Sequence, residues 1–280
     1  MSSILVSKSS LFRKHIALPQ DHGSWVFLLS PLLIGLFAGG AWRNATAFFV
    51  VGAFAAFLIR QPVTILIKVY SKRRSRRDLV PALFWTGVYA LVGMLALVGL
   101  IVQGFGYLLL LAFLGVPVFI WHLYLVSKRA ERRQMLVEMV GSGVLALAAP
   151  AGYWIGVGSP DPYGWLLFVL VWLQSAASIA YAYLRLEQRV LPAPPALSAG
   201  LQMAWRPLLY TSFNLLLVLG LALVAVLPIL LSLPFLLQWA ETIWGTLHPA
   251  VGVKPTRIGI RQLTVSSLFT LLFILAWGAG

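Results

Sequence analysis

Several groups of side chains in this chain are of types that do chemistry and are spaced to share a helix face. Gln20, Asp21, His22 and Gly23 stand immediately before a long apolar run, and His22 is the candidate general acid or base because imidazole titrates near neutral pH. Arg60, Thr64 and Lys68 recur every fourth residue, within about 80° of one another on a helix. Arg offers phosphate oxygens a planar fork and Lys a mobile point charge. Gln174, Ser178, Tyr181 and Arg185 follow an i, i+4, i+7, i+11 pattern, a stripe nearly parallel to a helix axis. Glu138 precedes Ser142 by one turn, and Arg206, Tyr210 and Asn214 form a further stripe. The candidate catalytic residue is thus His22, and the candidate ligand-binding residues are Arg60, Lys68, Glu138, Gln174, Ser178, Tyr181 and Arg185. No metal site is expected: there is no cysteine, and His22 and His122 are too sparse to ligate by spacing.

Each candidate also has a structural reading. Arg60 and Lys68 can snorkel to headgroups, although Arg60 lies about 12 Å deeper than Lys68 at the helical rise. Glu138 can serve as an ion-pair partner. The Gln174 stripe can join helices through hydrogen bonds without holding any ligand.

The elements that must position these residues follow from composition. Of the 280 residues, 60% are hydrophobic and 10% charged, whereas a soluble domain carries about a quarter charged residues. Several apolar runs reach the ~20 residues that cross a bilayer as a helix. The expected fold is an all-α polytopic membrane protein of about nine spans, at 24–41, 45–69, 79–102, 105–126, 136–157, 163–185, 205–225, 227–244 and 263–279. Pro228 supplies the break between the seventh and eighth. The first span is long enough, and has enough spans behind it, to be a retained helix rather than a signal peptide. No repeat or soluble module interrupts the chain, so 1–280 reads as a single transmembrane domain.

The net charge of +14 matches basic loops on the cytoplasmic face attracted to anionic lipid, and no nucleic-acid partner is inferred from it. With the N-terminus inside, "SKRRSRR" (71–77), "KRAERR" (128–133) and nearly all other basic residues fall inside, and Arg43 alone lies in an outer loop. Nine spans then put the C-terminus outside. The polar stripes all lie toward the cytoplasmic side, which makes "QDHG" the rim of a cytoplasm-facing cavity. The oligomeric state is not read from the sequence.

The segments "PQDHGSWVFLLSPLLIG", "LIRQP", "EMVGSGVLALAAPAGYW", "SIAYAYLRL" and "KPTRIGIRQ" resemble the YwiC-like family of bacterial integral membrane proteins. That resemblance implies residence in the bacterial plasma membrane. The pattern is in turn distantly similar to UbiA-type intramembrane prenyltransferases. It implies a nine-helix bundle in which Asp-rich motifs at the inner ends of the second and sixth helices hold magnesium and a prenyl diphosphate. Here the only aspartates are Asp21, Asp78 and Asp161, and the corresponding helices carry Arg60, Lys68, Gln174, Ser178 and Arg185 instead. Magnesium is therefore not expected, since it wants carboxylate oxygens, and no other cofactor is inferred.

Three functions fit this reading. The first is a divergent UbiA-like enzyme or binding protein for an isoprenoid or other amphiphilic anion. The second is a non-catalytic membrane subunit or assembly factor. The third is a small-anion transporter, hinted at only by prolines within spans two and eight.

Overall fold

A computed structural model describes residues 11–19, 22–130 and 134–279. Among them there are helices and turns and no strand. The long helices are α1 (His22–Ala38), α2 (Asn44–Tyr70), α3 (Leu79–Val102), α4 (Leu109–Ser127), α5 (Met135–Ala146), α6 (Ala148–Val157), α7 (Pro162–Gln188), α8 (Trp205–Leu223), α9 (Ser232–Leu247) and α10 (Pro255–Gly278). Among the described residues, seven continuous helical stretches are long and apolar enough to cross a membrane, α5 and α6 counting together as one. The other two expected spans form α1, with 17 residues, and α9, with 16, both somewhat short of the ~20 that cover the hydrocarbon. The protein is a multi-pass helical membrane protein.

The stretch 136–157, expected as one span, is broken at Leu147. Pro150 has no N–H for the carbonyl of Ala146, and its ring crowds that carbonyl, which is why the helix bends there. The last span begins earlier than its apolar run. Pro255 sits at its first position, where a missing N–H costs nothing, so "PTRIGIRQ" is two turns of helix instead of irregular loop. The proline-rich segment after α7 likewise contains a short helix, Leu197–Met203.

Contacts divide the described residues into two compact units. The first takes in Met1–Ser24 and Trp42–Gln134 and is built on an antiparallel pair, α2 and α3. Small residues bring these helices together: Ala55 and Ala96 are buried, and a Cβ on Gly52 or Gly93 would rest on Ala96 and Ala55 respectively. The segment 11–18 is fastened to the pair by side-chain bonds to its carbonyls. Trp85 donates to Leu11 (3.0 Å), Tyr89 to Ala17 (3.0 Å) and Gln61 to His15 (3.0 Å). Buried Asp78 accepts from Arg13 (2.9 Å) and Arg74 (2.6 Å), and Arg73 donates to the carbonyl of Val126. Thus part of the "SKRRSRR" run closes the end of this unit. The outward faces of α3 and α4 are apolar, with Leu91, Met94, Leu95, Phe113 and Ile120 exposed, as lipid contact requires.

The second unit takes in Trp25–Ala41 and Met135–Gly280. Its centre is α7, whose Leu167, Leu170 and Val171 are fully buried against Ile34, Phe235, Phe269 and Phe273. Asp161 caps α7 by accepting from Tyr163 N (2.7 Å), with Pro162 at the first position. α1 and α6 meet backbone to backbone. Gly35 and Gly39 face Gly152 and Gly156, each pair four residues apart, and a Cβ on Gly156 would lie 2.5 Å from the carbonyl oxygen of Gly39. Ser30 and Thr270 share a buried 2.6 Å hydrogen bond between α1 and α10.

α8 ends through Ala225, which is left-handed at φ 57° while Val226 N bonds the carbonyl of Leu221 (2.9 Å). An alanine there carries the Cβ penalty that glycine avoids. Ala225→Gly is expected to raise thermal stability by about 1 kcal/mol, read as an upward shift of the melting curve in detergent.

Candidate functional site

The expected stripe on α7 exists, runs one step further to Gln188, and faces a second stripe on α9 made by Gln238, Glu241, Gly245 and His248. The α9 residues fall at i, i+3, i+7 and i+10, so they too lie along one helix face. α10 adds Arg261 and Gln262 from its first turns.

At one end of the ladder, Gln238 Nε2 donates to the carbonyl of Gln174 (3.0 Å) and to Ser178 Oγ (3.0 Å). Gln174 Nε2 donates to the same hydroxyl oxygen (3.0 Å), and Gln262 Nε2 to the carbonyl of Ser178 (3.1 Å). In the middle, Glu241 accepts from Tyr181 OH (2.8 Å) and from Arg261 through two parallel bonds, Nε to Oε1 (2.6 Å) and Nη2 to Oε2 (2.7 Å). That is the bidentate fork which gives arginine its carboxylate specificity. Gly245 is required beside it, because any side chain there would run into the Tyr181 phenol.

At the far end, buried Arg185 reaches the carbonyls of Gly245 (2.6 Å) and His248 (2.8 Å) and Gln188 Oε1 (2.9 Å) with one nitrogen. The carbonyls belong to the last turn of α9, whose orphan acceptors and negative dipole end suit a cation. Arg185 thus closes a helix end. Arg185→Met is expected to cost about 1.5–3 kcal/mol, the range for hydrogen bonds to a charged donor, measured by thermal unfolding.

Over this ladder lies an aromatic and cationic platform. The Arg261 guanidinium sits 3.5 Å from the centroid of the Trp244 ring, Arg185 lies 5.6 Å from it, and His248 stacks on it at 4.9 Å. Trp244, His248 and Arg261 are all exposed, as are Lys254 and Arg257 nearby in sequence. With Nε and Nη2 on Glu241, the Arg261 guanidinium on the indole face has its Nη1 left to offer an anion.

The other expected residues lie elsewhere. Glu138, in the first turn of α5, is exposed and accepts from Tyr183 OH (2.8 Å), on a different face of α7 from the ladder. Arg60 and Lys68 belong to the first unit: Arg60 is half-buried in α2, 5.3 Å from the Phe57 ring, and Lys68 is in the last turn. His22 opens α1, but its side chain, like Gln20 and Asp21, lies outside the described residues. Residues missed from the sequence are Gln188, Gln238, Glu241, Trp244, Arg261 and Gln262. The spacing of Gln238, Glu241 and Gly245 within an apolar run is the signal that would have found the facing stripe.

The fold likeness expected from the sequence raises the question of magnesium. Among the described residues no three of His, Cys, Asp or Glu come together. The donors at the corresponding places are Arg60, Thr64 and Lys68 on α2 and amides, hydroxyls and a guanidinium on α7. Glu241, the one carboxylate of the ladder, is held by Arg261 and Tyr181. These groups do not make the hard, anionic oxygen shell that magnesium needs.

Comparison with known proteins bears out both resemblances. The YwiC-like protein family model matches residues 18–153. Protein YwiC of Bacillus subtilis (strain 168) is 27% identical over 159 residues, which are 57% of this chain and 61% of that protein. The match therefore spans less than two thirds of the relative's length. Among solved structures, a membrane-embedded digeranylgeranylglyceryl phosphate synthase, a UbiA-type prenyltransferase, superposes with a TM-score of 0.54 over 91% of this chain and 92% of its own. At 9% identity the likeness is one of fold.

Proposed function

We propose that this membrane protein binds an amphiphilic anion, an isoprenoid phosphate or a lipid of similar design, through basic, amide and aromatic side chains instead of a metal-held diphosphate. The observation that carries the reading is the platform of Arg261 on Trp244, flanked by Arg185 and His248, at one end of an apolar helical core. A cation presented on an indole meets a phosphate while the surrounding helices offer apolar surface to a chain. The fold shared with a synthase of digeranylgeranylglyceryl phosphate supports a ligand that is part hydrocarbon and part anion, as an analogy of fold. Arg60 and Lys68, on α2 of the first unit, are proposed separately as basic residues able to meet an anion, and His22 as an acid or base, each on its residue type. The charge asymmetry supports a plasma-membrane orientation with the N-terminus cytoplasmic and the C-terminus outside.

A second reading, a non-catalytic membrane subunit, is favoured by one feature: Arg185, Glu241 and Arg261 spend their charge on partners within the chain. One experiment separates the two. Purified protein is melted with geranylgeranyl phosphate, geranylgeraniol or inorganic phosphate, each with and without magnesium. Amphiphile binding predicts stabilisation by the phosphorylated isoprenoid, about 2.7 kcal/mol at a hundred times its Kd, unchanged by magnesium and reduced in Arg261→Ala relative to that variant's own baseline. No stabilisation by any of the three favours the subunit reading. A rise that requires magnesium contradicts a metal-independent site.

A further inference from the structure

One end of the first unit gathers cations from three separate stretches of chain. Asp78 draws Arg13 of the segment 11–18 (2.9 Å) to Arg74 of the turn between α2 and α3 (2.6 Å). Arg73 of the same turn donates to the carbonyl of Val126 in the last turn of α4. These bonds use both oxygens of Asp78 and bring together Lys14, the turn 71–77 and the turn 128–130. The cations left over are Lys14, Lys72, Arg76, Arg77, Lys128 and Arg129. All six are exposed, and among the described residues none of them pairs with a carboxylate.

Two of the six stand where a side chain is costly. Lys72 and Arg129 follow the last turns of α2 and α4 with φ at 55° and 61°, the left-handed conformation of a helix stop. Arg73 N returns to the carbonyl of Lys68 (2.8 Å) and Ala130 N to that of Leu125 (2.9 Å), the bonds that define the motif. Glycine is the usual residue there, having no Cβ to crowd the backbone. A cation anywhere in the last turn suits the negative end of a helix, so the dipole alone does not call for one at the strained position. The charge is kept there against the conformational preference.

The surroundings decide what meets this surface. α2, α3 and α4 are long enough to span a bilayer, so their ends lie at the level of the headgroups. Phe12, Tyr70 and Tyr124 are exposed beside the cations, and Lys128 lies 5.8 Å from the centroid of the Tyr124 ring. Aromatic rings at that level face acyl chains on one side and water on the other. Four to eight clustered cations next to a span are the usual mark of anionic lipid.

We infer that this end of the first unit is a docking surface for anionic phospholipid headgroups, formed jointly by Lys14, the turn 71–77 and the end of α4. A diffuse attraction of basic loops needs only net charge, whereas this surface depends on which segments meet. It uses none of the residues of the platform around Trp244 and does not rest on the amphiphile reading.

The test uses the full-length protein in a non-ionic detergent, with bound lipid counted by native mass spectrometry as lipid is added. The probes are phosphatidylglycerol, phosphatidylcholine with the same chains, and glycerol 3-phosphate, which carries a phosphate without chains. Wild type is expected to bind phosphatidylglycerol in preference to the other two. Lys72→Asn with Arg129→Asn removes two charges and installs a residue that tolerates the left-handed backbone. That variant is expected to bind phosphatidylglycerol about fivefold more weakly for each cation lost, while its melting temperature without lipid stays level or rises. Arg76→Gln with Arg77→Gln carries the same expectation if the first pair does not fold. Arg43→Gln with Arg206→Gln removes equal charge elsewhere and is expected to leave the affinity unchanged. Equal weakening by that control pair overturns a located surface, as does unchanged affinity in both test pairs. Phosphatidylcholine binding as tightly as phosphatidylglycerol removes the role of charge and overturns the inference. Glycerol 3-phosphate binding as tightly overturns a lipid as the partner. Loss of the preference in Arg261→Ala alone assigns the lipid to the platform and overturns the surface, while leaving the amphiphile reading in place.

Discussion

Gly156→Leu is expected to destabilise the protein by at least about 3 kcal/mol, at the upper end of overpacking costs, and to abolish its recovery as folded material. The position has no slack. A Cβ alone would lie 2.5 Å from the oxygen and 2.6 Å from the carbon of the Gly39 carbonyl. These are backbone atoms, which no rotamer change can clear. The two helices would have to separate by the width of a side chain, and the interlocked contacts of Gly35 and Gly152 would open with them. Gly87→Leu is the control, since nothing lies within 4 Å of a Cβ there and the residue is exposed on the apolar outer part of α3. A thermal melt in detergent should show a large fall for Gly156→Leu and little change for Gly87→Leu. Equal behaviour of the two would contradict the close crossing of α1 and α6.

Glu241→Ala should cost about 2 kcal/mol, and the loss should couple strongly to Arg261→Ala. Removal of the carboxylate takes the acceptor from the Tyr181 phenol and both oxygens from the Arg261 fork. The glutamate side chain is only 10% exposed, while that of Arg261 is 42% exposed, so water screens one partner and limits the cost. In a double-mutant cycle, the second substitution should add little once the first is made, giving a coupling of about 1–2 kcal/mol. Additive losses would mean that the fork carries no net energy. Tyr181→Phe, which removes only the phenol oxygen, should fall between wild type and Glu241→Ala.

Run length and proline position made most of the helices legible. Pro228, for example, lies in the turn between α8 and the short helical turn before α9, at the place where one apolar run had to become two. The start of α10 was obscured by the polarity of its first two turns. Lys254, Arg257 and Arg261 read as loop charges, yet Pro255 initiates a helix and Arg261 pairs back onto α9. The α1–α6 crossing was written in two glycine pairs of spacing four, but which such pairs meet is a matter of tertiary structure.

The site was half visible for a related reason. The α7 stripe could be read because four polar residues, Gln174, Ser178, Tyr181 and Arg185, repeat along one face. The facing stripe went unread because its spacing signal, Gln238, Glu241 and Gly245, holds only two polar side chains, and the partner of Glu241 lies twenty residues further on across a turn. Arg185 was legible as a buried cation but not as the cap of α9, because the acceptors are backbone carbonyls and carry no sequence signature. Glu138 was legible as a polar residue at a span end, while its phenolic partner Tyr183 lies off the stripe.

The central claim is that an amphiphilic anion is held by the end of the second unit where α7, α9 and α10 carry their polar residues. Photo-crosslinking tests it most directly: a diazirine-bearing geranylgeranyl phosphate, with the label close to the phosphate, is irradiated with the protein in nanodiscs, and labelled peptides are sequenced. Labels concentrated around Trp244, His248 and Arg261, displaced by unlabelled phosphorylated isoprenoid and not by geranylgeraniol, are the expected result. Labels scattered over the outward faces of α3 and α4, with no displacement, would contradict it.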